Sequence, residues 1–69
     1  MEMKRNIEET LNIIMSSGAI DAKFDGIYHN GKKYYRIMVE YEIKKWHLFK
    51  VPEDYDAVLL MEDVEELMM

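Results

Sequence analysis

The stretch Asp25-Gly26-Ile27-Tyr28-His29-Asn30-Gly31-Lys32-Lys33-Tyr34-Tyr35-Arg36-Ile37 decides the fold. Asn30-Gly31 lies between two β-prone runs. Asn-Gly is the preferred pair for a two-residue type I′ hairpin turn, because both central positions need positive φ. A turn placed there fixes the register: His29 opposite Lys32, Ile27 opposite Tyr34, Phe24 opposite Ile37 and Ala22 opposite Val39. Side chains alternate across a strand, so this register predicts two faces. One collects Ile20, Ala22, Phe24, Gly26, Tyr35, Ile37, Val39, Tyr41 and Ile43. The other collects Asp21, Lys23, Asp25, Ile27, Tyr34, Arg36, Met38, Glu40 and Glu42. Local turn chemistry places the turn without reference to polarity, yet an apolar and a mixed face emerge. That agreement supports a hairpin over residues 20–43.

Working outward, a third strand is expected over residues 46–51. With Lys44-Lys45 as its turn, Trp46 faces Ile43 and Leu48 faces Tyr41, while His47, Phe49 and Val51 fall on the mixed side. Pro52 has no amide hydrogen to donate and ends the strand. Upstream, Asn6 with Glu9 three residues later forms a capping-box pattern. Ile7, Leu11, Ile14 and Met15 then recur at helical spacing, and Gly18 supplies a stop. A helix over residues 6–17 follows. Downstream, Ala57, Leu60, Met61, Val64, Leu67 and Met68 repeat at helical spacing. They predict a helix over residues 53–68, with Pro52, Glu53, Asp54 and Asp56 at its start. The rival is a fourth strand at residues 55–61 followed by a short helix; periodicity over three turns favours the single helix. The fold class is α+β, in the order α-β-β-β-α, with a three-stranded antiparallel sheet and two helices.

Sixty-nine residues are enough for one domain. A chain of this length buries only about 60% of the surface its unfolded form exposes. Such small chains often supplement the core by oligomerising. A homodimer is therefore expected, through the apolar members of the mixed face, Ile27, Tyr34, Met38, Phe49 and Val51. The absence of cysteine excludes disulfides and thiolate metal sites. No apolar run approaches the ~20 residues that span a bilayer. Acids follow closely on Met1-Glu2-Met3-Lys4-Arg5-Asn6 and interrupt any signal-peptide core, so a cytoplasmic protein is expected.

Chemistry is poorly provisioned. Thr10, Ser16 and Ser17 all fall on the first helix, and no nucleophile elbow exists. His29 and His47 lack metal-ligand spacing, and Gly18, Gly26 and Gly31 are isolated, so no phosphate-cradling loop forms. No catalytic residue, metal or cofactor is assigned. Lys32, Lys33, Arg36, Lys44, Lys45 and Lys50 lie near Tyr28, Tyr34, Tyr35 and Trp46. That mixture raises direct RNA or DNA binding through the hairpin. A pI of about 4.9 argues against it. Alternating tyrosines also serve as core, and lysines at turns solvate a sheet.

Charge is lopsided. Residues 1–50 hold nine bases and seven acids, whereas residues 51–69 hold seven acids and no base. The seven are Glu53, Asp54, Asp56, Glu62, Asp63, Glu65 and Glu66. An acidic helix is usually just a solvated surface. Here no internal ion pair can offset the repulsion, which a small domain tolerates poorly. On a helical wheel Tyr55, Val58 and Leu59 point outward among the acids, a pattern suited to docking a basic protein. As one helix, residues 53–66 would rise ~21 Å at ~1.5 Å per residue. Seven charges over that length give roughly one per 3 Å, close to the ~3.4 Å of a DNA strand.

In chain size, lack of cysteine and the run Pro52-Glu53-Asp54-Tyr55-Asp56 through Glu62-Asp63-Val64-Glu65-Glu66, the sequence resembles small acidic phage-encoded proteins that occupy the DNA-binding surface of a host protein, such as inhibitors of the HU nucleoid protein. The resemblance implies a non-enzymatic, often dimeric inhibitor that competes with DNA for a basic groove. The partner-binding residues would then be Glu53, Asp54, Tyr55, Asp56, Val58, Leu59, Glu62, Asp63, Glu65 and Glu66. The alternative is an adaptor or regulatory subunit that binds a protein through its sheet face, with the acidic helix serving solubility.

Overall fold

Asn6 opens the first helix as its sequence predicts: its side chain accepts a hydrogen bond from the Glu9 amide at 2.8 Å. In the computed structural model, which describes residues 4–69, the order is α1 (Ile7–Ser16), β1 (Asp21–His29), β2 (Lys33–Glu42), β3 (Lys45–Pro52) and α2 (Ala57–Leu67). The α+β class and the element order match the sequence reading. Met1 to Met3, which entered the argument about a signal peptide, lie outside the described residues. Gly18 follows α1 with φ +103°, the left-handed conformation that ends a helix cheaply in glycine.

The three strands form an antiparallel sheet in the order β1-β2-β3. Its first turn differs from the type I′ expectation. Gly31 has positive φ but Asn30 does not, and His29 pairs with Lys33 across a three-residue loop. Near the turn the register is therefore one residue away from the predicted one. A bulge between Phe24 and Ile27, where Gly26 takes φ +114°, absorbs the difference. Beyond it, Phe24 pairs with Ile37 and Ala22 with Val39, as predicted.

The second turn is displaced more. Ile43 and Lys44 form it, with Lys44 at φ +63°, and Glu42 pairs with Lys45. A further irregularity between Glu40 and Glu42 sets Val39 against His47, Ile37 against Phe49 and Tyr35 against Val51. The whole offset from the predicted pairing is odd, and an odd slip turns every side chain of β3 to the other side. His47, Phe49 and Val51 thus join the face of Tyr35, Ile37 and Val39; Trp46, Leu48 and Lys50 join that of Glu40, Met38 and Arg36.

Both helices lie on the first of these faces. Ile14 of α1, Leu60 and Val64 of α2, and Tyr35, Ile37, Val39 and Val51 of the sheet form one buried cluster. Thr10 is buried with them, its hydroxyl donating to the Asn6 carbonyl at 2.9 Å. The Tyr35 hydroxyl donates to the Arg5 carbonyl at 2.7 Å and ties the N-terminal segment to the sheet. The sequence stripes are recovered with two exceptions: Met15 and Met61 are 43% and 38% exposed.

The proposed dimer surface is corrected by the same pairing. Val51 is 2% exposed and Phe49 packs against the core, both beneath the helices. Ile27, shifted by the bulge, pairs with Tyr35 and shares its side. Tyr34 and Met38 alone remain on the opposite, helix-free face. The five residues do not form one surface.

Candidate functional site

The acidic C-terminal third was expected to be one helix from residue 53; it is a turn, a cap and a shorter helix. Glu53 precedes α2 and is bracketed by Lys4 at 3.7 Å and Lys33 at 3.9 Å, its side chain 22% exposed. Its carbonyl also accepts from the Arg5 amide at 2.7 Å. Asp54 is exposed and outside the helix. Asp56 is the N-cap, its carboxylate accepting from the amides of Val58 at 2.8 Å and Leu59 at 3.2 Å. Tyr55, expected to point outward, is half-buried against the core. Its hydroxyl donates to Asp63 at 2.7 Å. That bond, then partial burial and the charges of Asp63, Asp56 and Glu62, hold the Tyr55 hydroxyl above its ordinary pKa.

The even charge spacing therefore does not form. Glu53, Asp56 and Asp63 each have a structural task, and the ~21 Å helical run is shortened because residues 53–56 are not helical. Four of the predicted acids remain free on the surface: Asp54, Glu62, Glu65 and Glu66. Glu62, Glu65 and Glu66 line an open hollow of about 440 Å³ with Met69. Val58 and Leu59 are exposed as expected, at 61% and 47%.

Two features of this side were not read from the sequence. Because both helices pack on one face, Glu8 and Glu9 of α1 stand on the same side of the molecule as the acids of α2. Neither helix contains a base. The free acids also sit at the unfavourable end of α2: Glu65 and Glu66 are in its last turn, where carbonyl groups already concentrate negative potential.

The sheet, with its turns, has the opposite balance. Residues 21–52 carry seven bases against four acids, a net of +3. On its helix-free face Lys23 lies 4.9 Å from the Trp46 ring centre, Lys50 lies 4.3 Å from Tyr28, and Lys32 lies 5.7 Å from Tyr34. Tyr28 and Tyr34 are neighbours, with ring centres 5.9 Å apart. Arg36 Nη2 approaches Asp25 at 3.4 Å on this side. The predicted basic-aromatic group is thus divided. Tyr35 is buried in the core with Lys33 above it. Lys44 and Lys45 sit at the second turn, where Lys45 bonds Glu42 at 2.9 Å and is held above the usual lysine pKa by that bond and charge. Lys23, placed on the mixed face by the sequence but not counted in the basic-aromatic group, stands on this face opposite Met38.

Among the described residues no group of three or more His, Asp or Glu side chains could hold a metal. No described helix is long and apolar enough to cross a membrane. The molecule presents an acidic helix side and a cation-bearing, aromatic sheet side. No protein-family model, curated protein or solved structure matches the chain.

Proposed function

We propose that the chain is a non-enzymatic, cytoplasmic binding protein whose helix side docks on a basic DNA-binding protein and keeps it from DNA. The observation that carries this reading is the placement of Glu62, Glu65 and Glu66. They are exposed and lack a basic neighbour on their helix, and Glu65 and Glu66 stand in its last turn, at the negative end of the helix dipole. Such carboxylates repel one another and the helix dipole, so they weaken the fold they belong to. Solubility needs no such placement, since acids on the first turn would serve it while stabilising the helix. Val58 and Leu59 lie exposed on the same helix and supply short-range contact to a partner drawn in by charge.

The experiment is a competition. A basic DNA-binding protein captured by the chain, and released at high salt, is loaded with a labelled DNA duplex. Wild-type chain should displace the DNA, with potency that falls steeply as salt rises. The variant combining Glu62→Lys, Glu65→Lys and Glu66→Lys should remain folded and displace nothing. Equal displacement by the variant, or insensitivity to salt, overturns the reading.

A further inference from the structure

We infer that the helix-free face of the sheet binds single-stranded nucleic acid, with Tyr28, Tyr34 and Trp46 as stacking platforms and Lys23, Lys32 and Lys50 as phosphate contacts. This surface lies opposite the acidic helices, and the inference is independent of the function proposed for them.

Each aromatic ring on the face has a lysine ammonium within 6 Å of its centre. None of those three lysines forms a salt bridge with a described residue. The acids nearby face groups other than these lysines. Asp25 faces Arg36, Asp21 accepts from the Ala22 amide at 2.8 Å, and Glu40 accepts from the Lys44 amide at 2.8 Å. The face therefore offers planar apolar groups and lysines free of salt bridges with the described residues side by side. A nucleotide matches both at once, its base on the ring and its phosphate on the ammonium.

A second copy of the chain matches less well. Its acidic helix side would meet the lysines, but the planar side chains there, His47 and Phe49, are packed edge-to-face on each other in a hollow beside Asp63 and Glu66. A duplex is disfavoured because its bases are stacked on each other, and a sheet face is too broad to enter a groove. The geometry also sets a length. Trp46 pairs with Glu40, six residues from Tyr34 along β2, which is about 20 Å at ~3.3 Å per residue. That span suits a strand of roughly four nucleotides, the low end of what one small β-domain holds.

Fluorescence anisotropy with a labelled oligodeoxythymidine of about twelve nucleotides, compared with a duplex of equal length, tests the inference on the intact chain. Trp46 provides a second, intrinsic signal. The single strand should bind in preference to the duplex and quench Trp46. Tyr28→Ala with Tyr34→Ala should weaken binding by about ten-fold or more. Because Tyr34 is half-buried, a second variant guards against unfolding: Lys23→Gln, Lys32→Gln and Lys50→Gln together remove only exposed charges. It should weaken binding and flatten its salt dependence between about 50 and 200 mM. The inference fails if the single strand does not bind at the lower salt, if the duplex binds equally well, or if the lysine variant matches wild type. It also fails if sedimentation shows a dimer that Tyr28→Ala dissociates, since a second copy would then occupy the face.

Discussion

Replacing Glu66 by lysine should make the protein more stable while removing part of its docking charge. Glu66 is the penultimate residue of α2, four residues after Glu62, and no base lies in the last turn. A like-charged pair at that spacing costs about 0.2–0.5 kcal/mol, and Glu-to-Lys in this order is the favourable orientation, so the pair changes sign. The interaction with the helix end, worth about 0.3–1 kcal/mol, reverses as well. The sum spans about 1–3 kcal/mol at low salt, and solvent screening of the exposed side chain discounts it to about 1 kcal/mol. For a domain of this size that is a rise in Tm of roughly 4–8 °C. Thermal melts followed by circular dichroism at low ionic strength measure it, with Glu66→Gln expected to fall between the two. At about 1 M salt the gain should vanish, because the screening length drops to about 3 Å. If Glu66→Lys melts at or below the wild-type temperature at low salt, these acids do not burden the fold. Their role in docking then loses its physical basis.

Three other outcomes follow from the structure. Val51→Asp should leave the chain unfolded, since it puts an unpaired charge in the core at a cost of several kcal/mol, whereas Leu48→Asp should fold; equal tolerance would refute the β2–β3 register. Gly26→Ala should cost about 1–3 kcal/mol in a urea melt, purely as backbone strain, because φ is +114° and an added Cβ meets no atom within 4 Å; an unchanged midpoint would deny the bulge. Tyr55→Phe should lose about 1 kcal/mol at neutral pH through the bond to Asp63. The Tyr55 pKa is raised in the folded state, so its contribution is full below the unfolded value of 10.0 and lost as pH rises through the folded value. The wild-type advantage over Tyr55→Phe should therefore shrink above that pH in urea melts; an advantage that grows would contradict the hydrogen bond.

The candidate surfaces were only partly legible before the fold was known. Charge counting found the acidic third, and Val58 and Leu59 stand exposed among its acids as the helical wheel predicts. Counting could not distinguish Asp56, which caps a helix, from Glu66, which burdens one; that difference depends on where the helix starts. It also could not show that Glu53 lies between Lys4 and Lys33, which are distant in sequence. The open sheet face was hidden because two of its aromatic positions depend on register: the bulge decides which side Tyr28 takes, and the second turn decides it for Trp46.

By itself the sequence determined what short-range chemistry can encode. Asn6 and Gly18 delimit α1, Asn30-Gly31 places the first hairpin, Pro52 ends the sheet, and apolar periodicity marks both helices and the buried side of β2. These features depend on a residue and its near neighbours. Tertiary structure decided the strand offsets, the common side of the two helices and the face left bare. A slip of one residue costs little in backbone hydrogen bonding yet carries a whole strand's side chains to the other side. That choice is made when Phe49 and Val51 pack beneath the helices with Ile37 and Tyr35, contacts that form only once distant segments have met.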